Sequence, residues 1–420
     1  MTDRVVFVYV DLDDKPVLVG KLHARFRKNR ENATFTYDPS WLDDPSRFAL
    51  EPALVLHDLS HHPHTGHAMF GAFGDSAPDR WGRMLMRRAE RQRAKAEKRA
   101  PRALNEIDCL LGVDDETRQG ALRFAEQPGG PFLAVTGAGP RVPPLVDLPA
   151  LLGASDRIAV DEDTDDDLRL LVAPGSSLGG ARPKASVRDH DNGLLIAKFP
   201  HPDDEVNQPA WEALALRLAS CAGINASKGR LETFTGRSVL LLNRFDRAGV
   251  RRIPFLSAMS LLGASDNESH SYLEIADALR QCSAAPSKDL VELWRRIVFS
   301  ILISNVDDHL RNHGLLWEGP AGWRLSPAYD LNPTPTDVRP RVLSLAVDDQ
   351  EHTASIELAF HVAEYFGIDK KAARRIANEI GRAVASWRNE AQHLRIRGTE
   401  IDRMASAFEH ADLRQAMNHV

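Results

Sequence analysis

The chain has 420 residues, 43% hydrophobic and 27% charged, enough apolar side chain to build cores in two or three domains. Lys and Arg total 53 against 59 Asp and Glu, a net charge of −6, so no overall basic balance points to nucleic acid and only a local basic patch could. Three scattered cysteines, Cys109, Cys221 and Cys282, with no CxxC pair, exclude a disulfide framework and a thiolate metal site and fit a reducing cytoplasm. No signal-like segment precedes the first strand, and no apolar run approaches bilayer length, so a soluble cytoplasmic protein is expected.

Residues 5–10 and 17–26 are rich in β-branched and aromatic side chains, with turn chemistry from Asp11 to Pro16 between them. Thr34 to Tyr37 reads as a third strand. His57, His61, His62, His64 and His67 form a tract with zinc-like composition. Without a nearby Cys, and with Pro63 and Gly66 inside it, it reads as an exposed loop. A helix is expected around 80–100. Its crowd of Arg87, Arg88, Arg91, Arg93, Lys95, Lys98 and Arg99 reads as a solvated face partnered by Glu90 and Glu97, in preference to a DNA-contacting helix.

Gln127 to Pro144 is a Gly/Pro-rich loop. The acidic run Asp161 to Asp167 lacks the Gly and spaced Glu of a calcium loop and reads as a solvated loop. Strand signals follow at 168–173, 185–188, 194–199 and 238–242. From about 270 the pattern turns helical: Leu290, Leu293, Trp294, Ile297, Val298, Ile301 and Leu302 recur at three- and four-residue spacing. Ile376, Ile380 and Val384 repeat the theme after Gly367-Ile368-Asp369, which suits a helix stop and a new N-cap. The expected organisation is a β-rich N-terminal region (1–145), a central part (146–245) and a helical C-terminal lobe (246–420).

The densest chemistry lies in Asn305-Val306-Asp307-Asp308-His309-Leu310-Arg311-Asn312-His313. A hairpin of 314–317 and 323–325 with a Gly-Pro turn would return Tyr329 and Asp330 beside it. Phosphoryl transfer needs a carboxylate to orient the attacking hydroxyl and hard oxygen ligands for Mg²⁺. Asp307, then Asn312, then a distant Asp330 is the order of a protein-kinase-like site: catalytic Asp, Asn on metal, Asp on metal. Gly175 to Lys184 is a Gly-rich loop able to approach phosphates, matching neither Walker A nor G-x-G-x-x-G. Lys198, inside the apolar strand 194–199, either snorkels from an edge or binds phosphates, with Glu212 as a candidate ion-pair partner. Leu240 to Asp246 is either an adenine-binding hinge or a strand entering a turn.

Together these segments resemble the HipA-type serine/threonine kinases, the toxin half of bacterial toxin–antitoxin pairs. Gly20, Tyr37 to Trp41, Phe73 to Trp81 (FGDSAPDRW) and Asp115 to Phe124 look like the family's N-terminal region. The resemblance implies an α+β fold with a kinase-like two-lobed architecture, a β-rich N-terminal lobe and a helical C-terminal lobe. It implies ATP and Mg²⁺ as cofactors, with Asp307 as catalytic Asp and Asn312 and Asp330 on metal. ATP contacts would fall on Gly179, Gly180, Ala181, Arg182, Pro183, Lys184, Lys198, Asn243, Arg244, Phe245, His309, Leu310, Arg311, Asn312, Tyr329 and Asp330. Ser177, with Ser176 beside it, matches the autophosphorylated serine. Val306 and Arg311 stand where Thr and Lys are expected, and neither change removes a ligand. Implied partners are a HipB-like DNA-binding antitoxin, with DNA reached only through it, and a protein substrate such as an aminoacyl-tRNA synthetase. Two other readings compete: a metal-dependent phosphohydrolase built on Asp307, Asp308, His309, His313 and Asp330, and a non-catalytic ATP-binding regulator.

Overall fold

The structure is a computed structural model and describes residues 3–27, 30–132, 142–175, 180–266 and 268–418. Two compact units form: Met1–Asp203 with Thr233–Arg237 and Leu241–Leu256, and Asp204–Glu232 with Ser238–Leu240 and Ser257–Val420. The secondary structure is mixed α and β, with strands concentrated in the N-terminal half and helices in the C-terminal half. No helix among the described residues is long and apolar enough to cross a membrane.

In the first unit, strands β1 (Arg4–Leu12), β2 (Lys15–Arg27), β3 (Arg30–Tyr37) and β4 (Leu122–Ala125) form an antiparallel sheet ordered β3-β2-β1-β4. Asp13 and Asp14 take φ of 49° and 62°, the left-handed pair that a two-residue hairpin turn needs. Register places Val6 opposite Leu22 and Leu22 opposite Phe35, a buried row across three strands. Phe35 meets Phe73 at 5.3 Å between ring centroids, and Phe73 meets Phe124 at 6.0 Å, both edge-on. Gly20 is required by this packing, because a Cβ there would lie 2.3 Å from Thr36 O and 2.6 Å from the Phe35 ring.

The helix Arg80–Ala96 starts at Asp79, whose carboxylate accepts from Gly82 N at 2.7 Å. It buries Trp81, Leu85, Met86 and Ala94. Strands β5 (Lys184–Arg188), β6 (Leu194–Lys198), β7 (Gly229–Phe234) and β8 (Arg237–Asn243) are ordered β5-β6-β8-β7 in a second sheet.

One sequence expectation fails here and another holds only in part. Residues 168–173, expected as a strand, belong to the helix Asp165–Gly175. The acidic run is a largely exposed loop over 161–164, as expected, but it is tied down and its last three residues are helical. Arg88 pairs with Asp161 and Asp163, Arg157 Nε donates to Asp167 at 2.8 Å, and Asp165, Asp166 and Asp167 form the helix's first turn. Thr164 N donates to Asp167 Oδ2 at 2.9 Å while Thr164 Oγ1 accepts from Asp167 N at 3.3 Å, a reciprocal cap. Three carboxylates in the first turn suit the positive end of a helix dipole.

In the second unit the helix Pro286–Leu302 buries its whole expected stripe, from Leu290 to Leu302, and Trp294 Nε1 donates to Ala359 O at 2.9 Å. Gly367 takes φ 74° and Asp369 caps the helix Lys370–Ala385 by accepting from Ala372 N at 2.8 Å, as the sequence predicts. Trp387 stacks on Phe408 at 4.5 Å, with Trp211 against both.

Candidate functional site

Below the helix Pro286–Leu302 the chain turns through Ser304, at φ 53°, into the polar loop. Its backbone is held from several sides. Ser304 Oγ donates to Ala407 O at 2.8 Å, and Val306 O accepts from Ser344 N and Oγ at 2.9 and 3.0 Å. Within this frame, Asp307 stands exposed, its Oδ1 3.3 Å from Arg339 Nη1, while its carbonyl accepts from Asn312 Nδ2 at 3.3 Å. Leu310–Asn312 form one 3-10 turn, with Leu310 and Asn312 buried.

Asp308, one residue on, faces the other way and is 3% exposed. It accepts from Tyr272 Oη at 2.6 Å and from Ser300 Oγ at 3.3 Å. His313 Nε2 lies 3.1 Å from Asp308 Oδ1, in ion-pair rather than hydrogen-bond geometry. Burial alone would raise the Asp308 carboxyl, but His313 and the Tyr272 hydroxyl hold it below the usual range. The Tyr272 hydroxyl is pushed well above its ordinary value by burial and by this neighbouring carboxylate. Sequence reasoning gave Asp308 no role within its leading reading. The available signal was a second acid and a histidine on one short loop after a fully apolar helix. Tyr272, far upstream, carried no such signal.

Strands Gly314–Trp317 and Trp323–Leu325 pair antiparallel, with Leu315 opposite Leu325 and Trp317 opposite Trp323. This hairpin returns the chain to the loop. Tyr329 Oη donates to Arg311 O at 2.6 Å, and Asn332 N donates to Asn305 Oδ1 at 3.1 Å. Between them Asp330 adopts φ 57°, and its Oδ1 accepts from Asn332 Nδ2 at 3.2 Å. The structure therefore brings Asp307, His309, Leu310, Arg311, Asn312, Tyr329 and Asp330 onto one stretch of the second unit. Arg311 itself points to Asp266, at 3.1 Å.

The remaining expected residues lie in the first unit. Gly179, Ser176 and Ser177 fall outside the described residues. Gly180 takes φ 103°, and a Cβ there would lie 3.0 Å from Lys184 Nζ. Ala181 and Arg182 are exposed and Pro183 is buried. Lys184 is 2% exposed and its Nζ donates to Asp79 Oδ2 at 2.8 Å, while Trp81 Nε1 donates to Lys184 O at 3.0 Å. Burial pushes the Asp79 carboxyl up, against the opposing pull of Lys184. Lys198 sits half-buried directly across the β5–β6 pair from Lys184. At the expected hinge, Asn243 is exposed and Phe245 half-buried, but the Arg244 guanidinium turns inward. It donates to Asp246 at 2.6 and 2.7 Å and to Thr117 O at 2.9 Å.

The donor set of Asn312 and Asp330, one amide oxygen and one carboxylate, suits Mg²⁺, which keeps water and phosphate as its other ligands. Elsewhere, His57 stacks on His61 at 4.2 Å and His61 is buried against Phe35 and Tyr37. Among the described residues no three His, Cys, Asp or Glu side chains gather as metal ligands.

A family model described as HipA-like C-terminal domain matches residues 176–387, and one described as HipA N-terminal domain matches residues 10–110. A Sinorhizobium fredii protein named "Putative kinase Y4mE" is 26% identical over 147 residues, 32% of this chain and 33% of that protein. A Haemophilus influenzae protein named "Putative kinase" is 25% identical over 224 residues, 46% of this chain and 65% of that one. The chain thus spans about a third and just under two thirds of these relatives. The fold matches that of HipA from Shewanella oneidensis MR-1, solved with HipB and operator DNA. The TM-score is 0.68 at 16% identity, over 99% of this chain and 96% of that one. With half its length matched by the C-terminal model and a separate N-terminal region matched by the other, the chain belongs to the HipA family.

Proposed function

We propose that the chain is an ATP-dependent protein serine/threonine kinase acting as the toxin of a toxin–antitoxin pair. The observation that carries this reading is the Tyr329–Arg311 hydrogen bond, which sets the Asp330 segment beside the loop of Asp307 and Asn312. Asp307, exposed and fixed through its backbone, orients the hydroxyl of the target serine or threonine and accepts its proton. Asn312 and Asp330 would hold Mg²⁺, which when bound neutralises charge on the transferring phosphate. Lys198 serves the phosphates, as does the backbone of the loop containing Gly180. Lys184, tied to Asp79, fixes that loop's position. Autophosphorylation of Ser177 would add about two negative charges to the loop and switch the enzyme off. The fold-mate's complex with HipB and DNA supports a DNA-binding antitoxin as partner. A translation factor such as an aminoacyl-tRNA synthetase is the proposed substrate.

The phosphohydrolase alternative needs Asp308 and His313 as metal ligands, yet they face each other in the core with Tyr272 and Ser300. Incubation with labelled ATP and Mg²⁺ tests the kinase reading. Wild type should incorporate phosphate and Asp307→Ala should lose incorporation by roughly 10²–10⁴-fold. Equal incorporation by the two proteins would sink it.

A further inference from the structure

Past Asp330 the chain makes an excursion that ends where it began. Thr334 N donates to Ser304 O at 3.1 Å on the way out, and Ser344 N donates to Val306 O at 2.9 Å on the way back. The segment 334–344 is thus pinned at both ends to the backbone just before Asp307. Within it Val338 N and Arg339 N both donate to Pro335 O, at 3.0 and 3.2 Å, and Thr336 N donates to Ser406 Oγ at 3.0 Å. Pro335 and Pro340 fix φ on either side of this turn. Arg339 therefore projects from a held backbone. The other arginines nearby are committed. Arg341 donates to Ile301 O, Ser304 Oγ and Asp412, and Arg311 pairs with Asp266 at 3.1 Å. Of the three, Arg339 is the one that reaches Asp307, its Nη1 3.3 Å from Oδ1, with the two side chains 59% and 61% exposed. An ion pair this exposed adds little to stability, and the Asp307 backbone is held without it, its carbonyl accepting from Asn312 Nδ2. A cation held against a general base also weakens it as a proton acceptor. The fold gains little from this pair and the resting base loses by it, so the use of the guanidinium lies in what it does when the pair opens.

We propose that Arg339 is a catalytic residue, whose guanidinium leaves Asp307 to bind the oxygens of the phosphoryl group as it transfers. The proposal rests on the kinase reading. In that reaction the target hydroxyl oxygen bonds to the γ-phosphorus, its proton passes to Asp307, and the bond to the bridging oxygen breaks with its electron pair leaving on ADP. Negative charge gathers on the oxygens of the transferring group. That group is bonded to the very oxygen that Asp307 orients, so a guanidinium already touching the Asp307 carboxylate is within a side-chain rotation of it. Its planar fork of N–H donors suits phosphate oxygens. Exchange from a weak, exposed pair to a phosphate in a site closed to water is favourable. It also frees Asp307 to accept the proton at the moment it is needed.

The test compares binding of two nucleotide probes to the full chain by calorimetric titration: AMP-PNP with Mg²⁺, which resembles bound ATP, and ADP with Mg²⁺ and aluminium fluoride, which resembles the transferring phosphoryl group. Arg339→Gln should weaken binding of the aluminium fluoride complex on the order of 10²-fold and leave the affinity for AMP-PNP within about threefold. Its turnover with labelled ATP should fall by a similar factor at an unchanged KM for ATP. Arg339→Lys, which keeps a cation, should fall between the variant and wild type. Arg375→Gln, on the exposed face of the helix Lys370–Ala385, removes the same charge elsewhere and should match wild type in all three measurements. Arg339 is exposed, so circular dichroism melting should show Arg339→Gln folded as wild type. The proposal is overturned if Arg339→Gln binds the aluminium fluoride complex as wild type does, if it weakens both probes equally, or if Arg375→Gln loses as much. Wild type that incorporates phosphate through Asp307 while Arg339→Gln matches it removes this proposal and leaves the kinase reading standing. Wild type that incorporates none removes both.

Discussion

Glu51 is 4% exposed and accepts from Ala72 N at 2.6 Å, at the start of the helix Gly71–Asp75. Burial pushes its carboxyl up to about 7, although the backbone N–H groups of Ala72 and Gly71 oppose the rise. The folded value therefore lies above the unfolded one, so the folded state holds a proton the unfolded state has released. The stabilisation is complete below the unfolded value near 4.5 and is lost as pH rises to about 7, by about 3 kcal/mol. Glu51→Gln keeps an acceptor for Ala72 and removes the proton. Urea unfolding at pH 5 and pH 8 should show a smaller decline for the variant than for wild type. Parallel declines would refute this account. Tyr272 poses the complementary case, a neutral donor on a buried charge. Tyr272→Phe removes the 2.6 Å bond to Asp308 and leaves Ser300 and His313 behind. The expected loss is about 1–3 kcal/mol in unfolding free energy. On the kinase reading, phosphoryl transfer should slow with the KM for ATP unchanged. An unaltered melting curve together with unaltered turnover would show that the bond does not matter.

Asp79 joins two elements at once: it caps the helix Arg80–Ala96 and neutralises Lys184 at the start of β5. Asp79→Asn should retain the cap but remove the carboxylate that faces the buried Lys184 ammonium, costing about 3–5 kcal/mol. Replacing both, as Asp79→Asn with Lys184→Met, should recover most of that loss in a urea midpoint comparison. If the double variant is no better than the single one, the ion pair is not the source of the cost. This pairing explains a segment the sequence presents only as a resemblance, since nothing in FGDSAPDRW announces a partner more than a hundred residues on. Where partners are local, the sequence is readable. The strands of β1 to β3 follow from their composition and the Asp13–Asp14 turn, and the Gly367–Asp369 break follows from stop and cap chemistry. The misread helix Asp165–Gly175 has the opposite history: five apolar residues within 168–173 imitate a buried strand. The preference of Leu for helix and the Thr164–Asp167 cap decide otherwise. At the site, Asp330 beside the loop was legible because a hairpin is local. The inward turn of Arg244 was not, because its partners Thr117 and Arg118 come from a distant segment.

That distant tie governs how the whole molecule can be divided. The first unit is not a contiguous stretch: it needs Leu241–Leu256 in addition to Met1–Asp203. Within that returning segment, Asp246 is 2% exposed and accepts from Gly120 N at 2.8 Å, from Arg244 and from Arg247. Burial would raise its carboxyl, but the two guanidiniums hold it far below the usual range. Arg244 and Arg247 in turn donate to the carbonyls of Thr117, Arg118 and Gly120. A fragment ending at residue 203 keeps the β3-β2-β1-β4 sheet and loses every one of these partners. The carbonyls then need other donors, and the surface that Arg244 covered opens to water. Extending the fragment to 256 restores them but exposes the helix Gln208–Cys221, whose Trp211, Leu214 and Leu218 are buried in the second unit. Neither cut should therefore yield a single sharp transition. The fragment 1–203 should bind the dye ANS and unfold broadly in urea, while the full chain unfolds steeply. In the full chain, Arg244→Met should lower the midpoint without broadening the curve. A cooperative transition from the fragment 1–203 alone would show that the sheet and its helix are self-sufficient, and that the returning segment decorates the unit instead of completing it.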